Sequence, residues 1–429
     1  MSGRRGGSAG GGTLGLIFSA LLFALSHPSP TLGLVLQDTR VDILHGGRIV
    51  VSNPAATRSR NEGEDGWRFV EELRLGRFQG RGPDVLGDVG HIAVDEQGRI
   101  YVLDIGSQEV RVFARDGRHL RNMVRAGEGP GEINYHPYGR DIRADYMRLL
   151  WQPPSRLWVE AGQQATLTVD SLGNHLRRTR WRFPYFPEGQ LATSSRVTAA
   201  DTVGSIYEQL IVEDWPDHSI REFPRMTYIV RRPVTAGHEL LAGDTLLIET
   251  RRIEMGLPTV ERTADGGRIE IERPVRADAR QIAWAAGPGG ELWLANRAAY
   301  RLHQVTIEGD TIRTVELGTS PPPLAGAVDA SEYEFVIEEL GVSPEGWIWV
   351  RREREDGDAE GGSPVWDLFD NCGAYRGAAF APFPLASPHI GRRGEVHGVV
   401  SDPFGVDYVL RLRLESADGS TVTAETCPY

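Results

Sequence analysis

One phrase recurs along this chain and limits what it can fold into: a polar turn closing on glycine, then a short alternating apolar run that holds an aromatic residue. Its clearest copy is Ile92-Ala93-Val94-Asp95-Glu96-Gln97-Gly98-Arg99-Ile100-Tyr101-Val102-Leu103-Asp104. Alternation with period two sends successive side chains to opposite faces of a strand, so the phrase reads as a β-hairpin. Further copies stand at Ser155-Arg156-Leu157-Trp158-Val159, Gly204-Ser205-Ile206-Tyr207, Gly290-Glu291-Leu292-Trp293-Leu294 and Gly346-Trp347-Ile348-Trp349-Val350, with a weak one at Gly394-Glu395-Val396-His397. Their spacing is about fifty residues with one longer gap, the period of a propeller blade.

A second strand pair follows most copies. Val110 to Phe113 turns at Asp116-Gly117 into Leu120, and Thr166 to Val169 turns at Gly173-Asn174 into Leu176. His303 to Ile307 turns at Gly309-Asp310 into Ile312, and Trp366 to Phe369 turns at Asn371-Cys372-Gly373 into Tyr375. Tight hairpins need positive φ, which glycine and asparagine supply. Each unit therefore reads as four antiparallel strands, and the fold class as all-β, a six-bladed β-propeller over 34–429. Seven blades is the alternative, if Ile49-Val50-Val51 opens a unit of its own. Radial sheets of this kind leave only short edges open to aggregation. A fourth unit is swollen between about Glu213 and Ala279 and carries an extra hairpin, Pro258–Arg262 against Arg268–Ile271. Ser331–Leu340 has a helical look but also suits an incoming strand. The acidic run Glu353–Gly362 lacks EF-hand ligand spacing and reads as a solvated loop.

Composition enters mainly as exclusion. The 429 residues include 51 Gly and 26 Pro, and 40% are hydrophobic, enough for a core and unlike a disordered chain. A formal charge of −12 argues against nucleic acid or an anionic membrane as partner. All 47 basic residues are arginine; coding bias and selection for bidentate anion recognition both account for this. At the N-terminus, Arg4 and Arg5 precede a glycine-rich stretch and an apolar run from Leu14 to Leu25. Such a run is short for about 30 Å of hydrocarbon. It reads as a signal peptide over 1–26, cut after Ser26, with small residues at Ala24 and Ser26. An uncleaved anchor is the alternative. No Cys follows the run, which excludes a lipoprotein anchor, and the arginine pair lacks the fuller twin-arginine motif. The expected address is periplasmic or extracellular, as a monomer with no membrane span once the leader is gone.

Two cysteines, Cys372 and Cys427, remain after export. No CxxC spacing offers a zinc knuckle, and two thiols in an oxidising compartment commonly pair. A bridge would tie a late blade turn to the C-terminal strand; two free buried thiols is the other reading.

The segment Arg118-His119-Leu120-Arg121-Asn122-Met123-Val124-Arg125-Ala126-Gly127-Glu128-Gly129-Pro130-Gly131-Glu132-Ile133 resembles the junction between blades in six-bladed, NHL-like bacterial propellers. Gly98 to Asp104 resembles the phrase just upstream of that junction. Gly46 to Asn53, followed by Trp67 and Glu72-Leu73-Arg74-Leu75-Gly76, is similar to the leader and first strand of exported members. The resemblance covers Gly46 to Asp170 well, Ala283 to Val315 in part, and the swollen unit poorly. It implies six blades with an early strand completing the last one. It implies little about activity, because such folds host lyases, lactonases, sugar dehydrogenases and pure binding modules.

The usual catalytic signals are missing: there is no GxSxG elbow and no HExxH pair. Gly127 to Glu132 lacks the Lys-Ser/Thr of a phosphate loop and carries carboxylates that would repel an anion. His91, His136 and His389 stand near the starts of inner strands. Three converging imidazoles would suit zinc; some NHL-like lyases hold a metal in the channel with one His from each of several blades, to which this placement is loosely similar, and only His136-Pro137 resembles the lyase-type phrase. Separate hydrogen-bonded histidines is the plainer reading, so no metal or cofactor is assigned; zinc or calcium stays open. Trp158, Trp293, Trp347, Trp349 and Trp366 read as packing between blades. The function expected is an exported binding or interaction module for a protein, small-molecule or carbohydrate ligand. The alternative is a metal-dependent lyase or lactonase with its site in the central channel.

Overall fold

The computed structural model describes residues 34–429 except 37–38, 55–66, 128, 134–146, 162–164, 181–189, 215–221, 256–258, 263–267, 272–273, 278–281, 297–299, 319–336, 353–364, 382–384, 417–418 and 420. The leader, His136 and the acidic run therefore lie outside the described residues.

The described strands form six successive antiparallel units. The first runs Val89–Val94, Ile100–Asp104, Glu109–Phe113 and His119–Asn122. The second runs Met147–Gln152, Arg156–Ala161, Ala165–Asp170 and His175–Arg180. The third runs Gln190–Ala200, Ser205–Asp214, Glu222–Pro233 and Asp244–Met255, with Pro274–Ala277 as a fifth strand. The fourth comprises Ala283–Ala286, Leu292–Asn296, Arg301–Val305 and Thr311–Leu317. The fifth comprises Ile337–Val342, Ile348–Arg352, Val365–Phe369 and Tyr375–Phe380. The sixth has Ala386–Ile390, Glu395–Ser401 and Asp407–Ser416, and its outer strand is the early segment Trp67–Leu75, antiparallel to Asp407–Ser416.

The first strand of each unit is its inner strand, and the six inner strands contact one another in sequence around a ring. First touches second, second third, third fourth, fourth fifth, and sixth first; Gly341 of the fifth meets Ile390 of the sixth. Apolar clusters fill every seam. Leu103, Val112 and Leu149 join the first and second units, and Trp158, Val197 and Ile206 the second and third. Tyr207, Ile229 and Leu292 serve the next seam, then Trp293, Leu302, Ile348 and Phe369. Trp347, Trp349 and Leu410 fill the fifth seam, and Leu75, Ile92, Val102 and Val409 the last. This ring of radial sheets is a β-propeller.

The recurring phrase has a local cause. Asp95 accepts from the backbone N–H groups of Gln97 and Arg99 (2.9 Å each) and from the Tyr101 hydroxyl (3.0 Å). Gly98, at φ 75°, supplies the left-handed residue that the turn needs. Asp201 repeats the device with Val203 N–H, Ser205 N–H and Tyr207. In the second unit Gln152 takes the carboxylate's place and accepts from Trp158 Nε1 at 2.9 Å. In these three units the aromatic is stapled to the turn that precedes it, one end buried in a seam and the other hydrogen-bonded.

Three points depart from the sequence reading. The swelling belongs to the third unit: its inner strand has 11 residues where the first unit's has 6, and Thr259–Arg262 pairs with Arg268–Ile271 as a separate hairpin. Ile49–Asn53 opens no unit; it lies parallel to Thr311–Leu317 and extends the fourth sheet outward, followed by Thr39–Ile43 and Leu34–Leu36. The C-terminal segment is not a strand but an irregular strap. Ile337–Val342 is a strand, as one of the two readings of that stretch allowed.

An early segment and the C-terminal strap both pack against the fifth unit, around its turn Asp370–Tyr375. Buried Asn53 donates to Gly373 O (3.0 Å) and accepts from Tyr375 N–H (2.8 Å). From the strap, Cys427 is bonded to Cys372, Glu425 N–H donates to Asn371 Oδ1 (2.8 Å), and Trp347 Nε1 donates to Thr423 O (2.7 Å).

Candidate functional site

All six inner strands line one central cavity of about 1750 Å³. Along each strand the register to its neighbour defines a tier. One tier, two residues before the first turn position, comprises Ala93, Leu150, Ala199, Ala285, Gly341 and His389, paired with Tyr101, Trp158, Tyr207, Trp293, Trp349 and His397 on the second strands. All six inner residues of that tier border the cavity. Small or aliphatic residues occupy it in five units, and histidine in the sixth.

Ionisable groups stand at both ends of the channel: Glu96, Glu345, Arg392 and Arg393 where the inner strands turn, and another set where they begin. His91 is the third residue of its strand, Arg148 the second, and Glu338 and Glu339 the second and third. Bulges interrupt the ladder at these places: between Val89 and His91, between Ile337 and Glu339, and between Ala386 and His389. An extra residue re-aims the side chains around it, and bulges recur beside functional sites for that reason. Arg351, from the second strand of the fifth unit, pairs with Glu338 at 3.3 Å and Glu339 at 3.1 Å.

The histidines are held neutral. His91 Nδ1 donates to its neighbour's carbonyl, Ile92 O, at 2.9 Å, leaving Nε2 as the open nitrogen. Burial lowers its pKa to about 4, and the charge on Arg148 and the nearby His389 press in the same direction. Burial alone lowers His389 to about 4. Both rings keep part of their surface open to the cavity, but the surrounding protein is dense enough to disfavour the cation. His397 is lowered further, first by burial and then by His389, Arg411 and Arg115. Glu339 shifts the other way: burial raises it, Arg351 opposes, and Glu338 raises it again.

Of the sequence candidates, His91 and His389 both line the cavity, but His389 is the fourth residue of its five-residue strand, nearer the strand's end than its start. His397, Arg148, Glu338, Glu339 and Arg351 were not singled out by sequence; all five line the cavity. The His389 and His397 rings meet edge to face, with centroids 6.1 Å apart and planes at 63°. A zinc or calcium centre would need at least three converging donors, and no group of three His, Cys, Asp or Glu side chains among the described residues could hold a metal ion. The described donors do not fit such a centre. Gly127 to Ile133 is a self-bonded turn between the first and second units, with Gly129 N–H donating to the Glu132 carboxylate at 2.8 Å.

No protein-family profile matches the chain. No curated protein matches it either. Solved structures resemble it in fold. A Bacteroides fragilis protein named as exported is 12% identical over 86% of this chain and 100% of its own, with a TM-score of 0.44. A DUF4221-family protein from Bacteroides vulgatus is 8% identical over 82% of this chain and 99% of its own, at a TM-score of 0.48. A streptogramin B lyase is 12% identical over 81% of this chain and 98% of its own, at 0.37. The assignment to the β-propeller class rests on the strand order and ring contacts above. No helix among the described residues is long and apolar enough to cross a membrane.

Proposed function

We propose that the chain is an exported, monomeric six-bladed propeller that binds a small molecule in its central channel. One observation carries this reading: six inner strands surround a central cavity of about 1750 Å³, walled by apolar and polar groups in about equal measure, into which bulged strands deliver ionisable side chains. Concavities where apolar walls meet convergent polar groups are where ligands bind. The leader-like run before Ser26 supports export.

Filling the channel tests the reading. Ala199→Trp and Ala285→Trp together would narrow the cavity while leaving the ionisable groups in place. Compounds that raise the melting temperature of the wild-type protein should lose most of that effect in the filled variant. Equal stabilisation of both proteins would contradict a channel site.

A metal-dependent lyase or lactonase is the second reading, favoured by the open Nε2 of His91. It requires stoichiometric zinc or calcium in the purified protein, lost on His91→Ala or His136→Ala. Metal-free protein that keeps its ligand would exclude it.

A further inference from the structure

The sixth unit breaks the repeat at two coordinated positions. Its turn residue is not one of them: the first and third units place Asp95 and Asp201 to staple the turn, but the fourth has Gly287 where the sixth has Gly391. Five units set an aromatic on the second strand; the sixth sets His397. Facing it, where the others have Ala, Leu or Gly, stands His389. The replacement is not neutral for stability. His397 is 1% exposed, and among the described residues neither of its ring nitrogens has a hydrogen-bond partner. An aromatic would serve the seam at that point without leaving polar atoms unpaired, as Tyr101 and Tyr207 do. Trp349 in the fifth unit also leaves its Nε1 unpaired, but it keeps a large apolar ring in the seam. Buried polar groups without partners destabilise the fold, and departures from local rules gather where function demands them.

We propose that His389 and His397 form the polar recognition point of the channel, and that the ligand is a neutral, mostly apolar molecule presenting a hydroxyl or amide to them. This rests on the channel-binding reading. The chemistry follows from the tier. A neutral imidazole offers one donor and one acceptor, which matches a group that can both donate and accept. Ala93, Leu150, Ala199, Ala285 and Gly341 make the other five sides of that level apolar. A carboxylate or ammonium placed there would be an unpaired charge against aliphatic walls. The two cations that act on His397 are each paired with a carboxylate: Arg115 with Glu395, and Arg411 with Glu72 at 3.1 Å.

The pair is tested by side-chain ¹⁵N NMR on full-length protein labelled at histidine and tryptophan, with Trp284→Phe to assign its indole, and with benzyl alcohol and benzamide as probes and benzoate and benzylamine as charged controls. His397→Phe assigns the His397 signals and removes both polar atoms while keeping an aromatic ring. The neutral probes should shift the His389 and His397 nitrogens saturably, the charged ones should not, and benzyl alcohol should bind His397→Phe about tenfold more weakly. If the neutral probes move the Trp284 indole in the cavity wall but leave both histidines unmoved, the recognition point is wrong and the channel reading stands. Equal response to benzoate or benzylamine overturns the neutral class. If no cavity signal moves with any probe, the channel reading falls with it.

Discussion

The first and sixth units share a strand plan but not a chemistry. In the first, Asp95, Gly98 and Tyr101 close the turn on itself, and every polar atom of the staple has a partner. In the sixth, Gly391 and His397 occupy the corresponding places, and two buried nitrogens have none among the described residues. The ring can tolerate one such unit because seams on both sides are filled, by Trp347, Trp349 and Leu410 on one flank and Ile92, Val102 and Val409 on the other. A repeat protein therefore shows its site as the unit that stops obeying the repeat.

Acid should widen the difference most. The folded pKa values of His91 and His389 lie near 4, below the ordinary 6.5. Between those values the unfolded chain binds more protons, so stability is complete above about pH 6.5 and falls as pH drops toward 4. The ceiling is about 3 kcal/mol per histidine, reduced by the open surface of both rings. Urea midpoints at pH 7.5 and 4.5 check it; His91→Gln with His389→Ala should flatten the profile, and an unchanged slope would contradict the assignment.

Reduction of the Cys372–Cys427 bridge, which spans 55 residues, should cost about 4 kcal/mol by the chain-entropy estimate. Cys372→Ser/Cys427→Ser should lower the urea midpoint accordingly. If the strap is dispensable, the midpoint will stay put.

Breaking the obedient unit should cost slightly less. Asp95→Ala leaves the buried Tyr101 hydroxyl and the Arg99 guanidinium without their acceptor, at about 3 kcal/mol. Tyr207→Phe, which loses bonds to Asp201 (2.9 Å) and Gly290 O (3.1 Å), should cost about 1 kcal/mol. Denaturant titration ranks the pair, and a reversed order would show that the staple is not what holds the turn.

Much of the ring was legible from sequence. The glycine turns at Gly98, Gly204, Gly290 and Gly346 all join inner to second strands, because positive φ and period-two alternation are local properties. The early strand that completes the sixth unit was implied by the leader segment containing Trp67. The site was less legible. His91 and His389 stood out as histidines near inner strands, while His397 was hidden in the weakest copy of the phrase. Aligning Gly394-Glu395-Val396-His397 on Gly98-Arg99-Ile100-Tyr101 would have shown a histidine in the aromatic column. Arg148, Glu338 and Glu339 had only their polarity within inner strands to mark them. Their approach depends on bulges and on ring closure between segments about two hundred residues apart, which no local pattern encodes.

The most direct test returns the sixth unit to the repeat. His389→Ala with His397→Phe sets an alanine opposite an aromatic, as in the first, third and fourth units, without a hydroxyl that Gly391 could not accept, and its unfolding by urea can be compared with wild type at pH 7.5. If the histidines are kept for binding at the expense of stability, the double variant will unfold at a higher midpoint. A midpoint well below wild type would mean that the pair holds the sixth unit together, and that the departure from the repeat is structural.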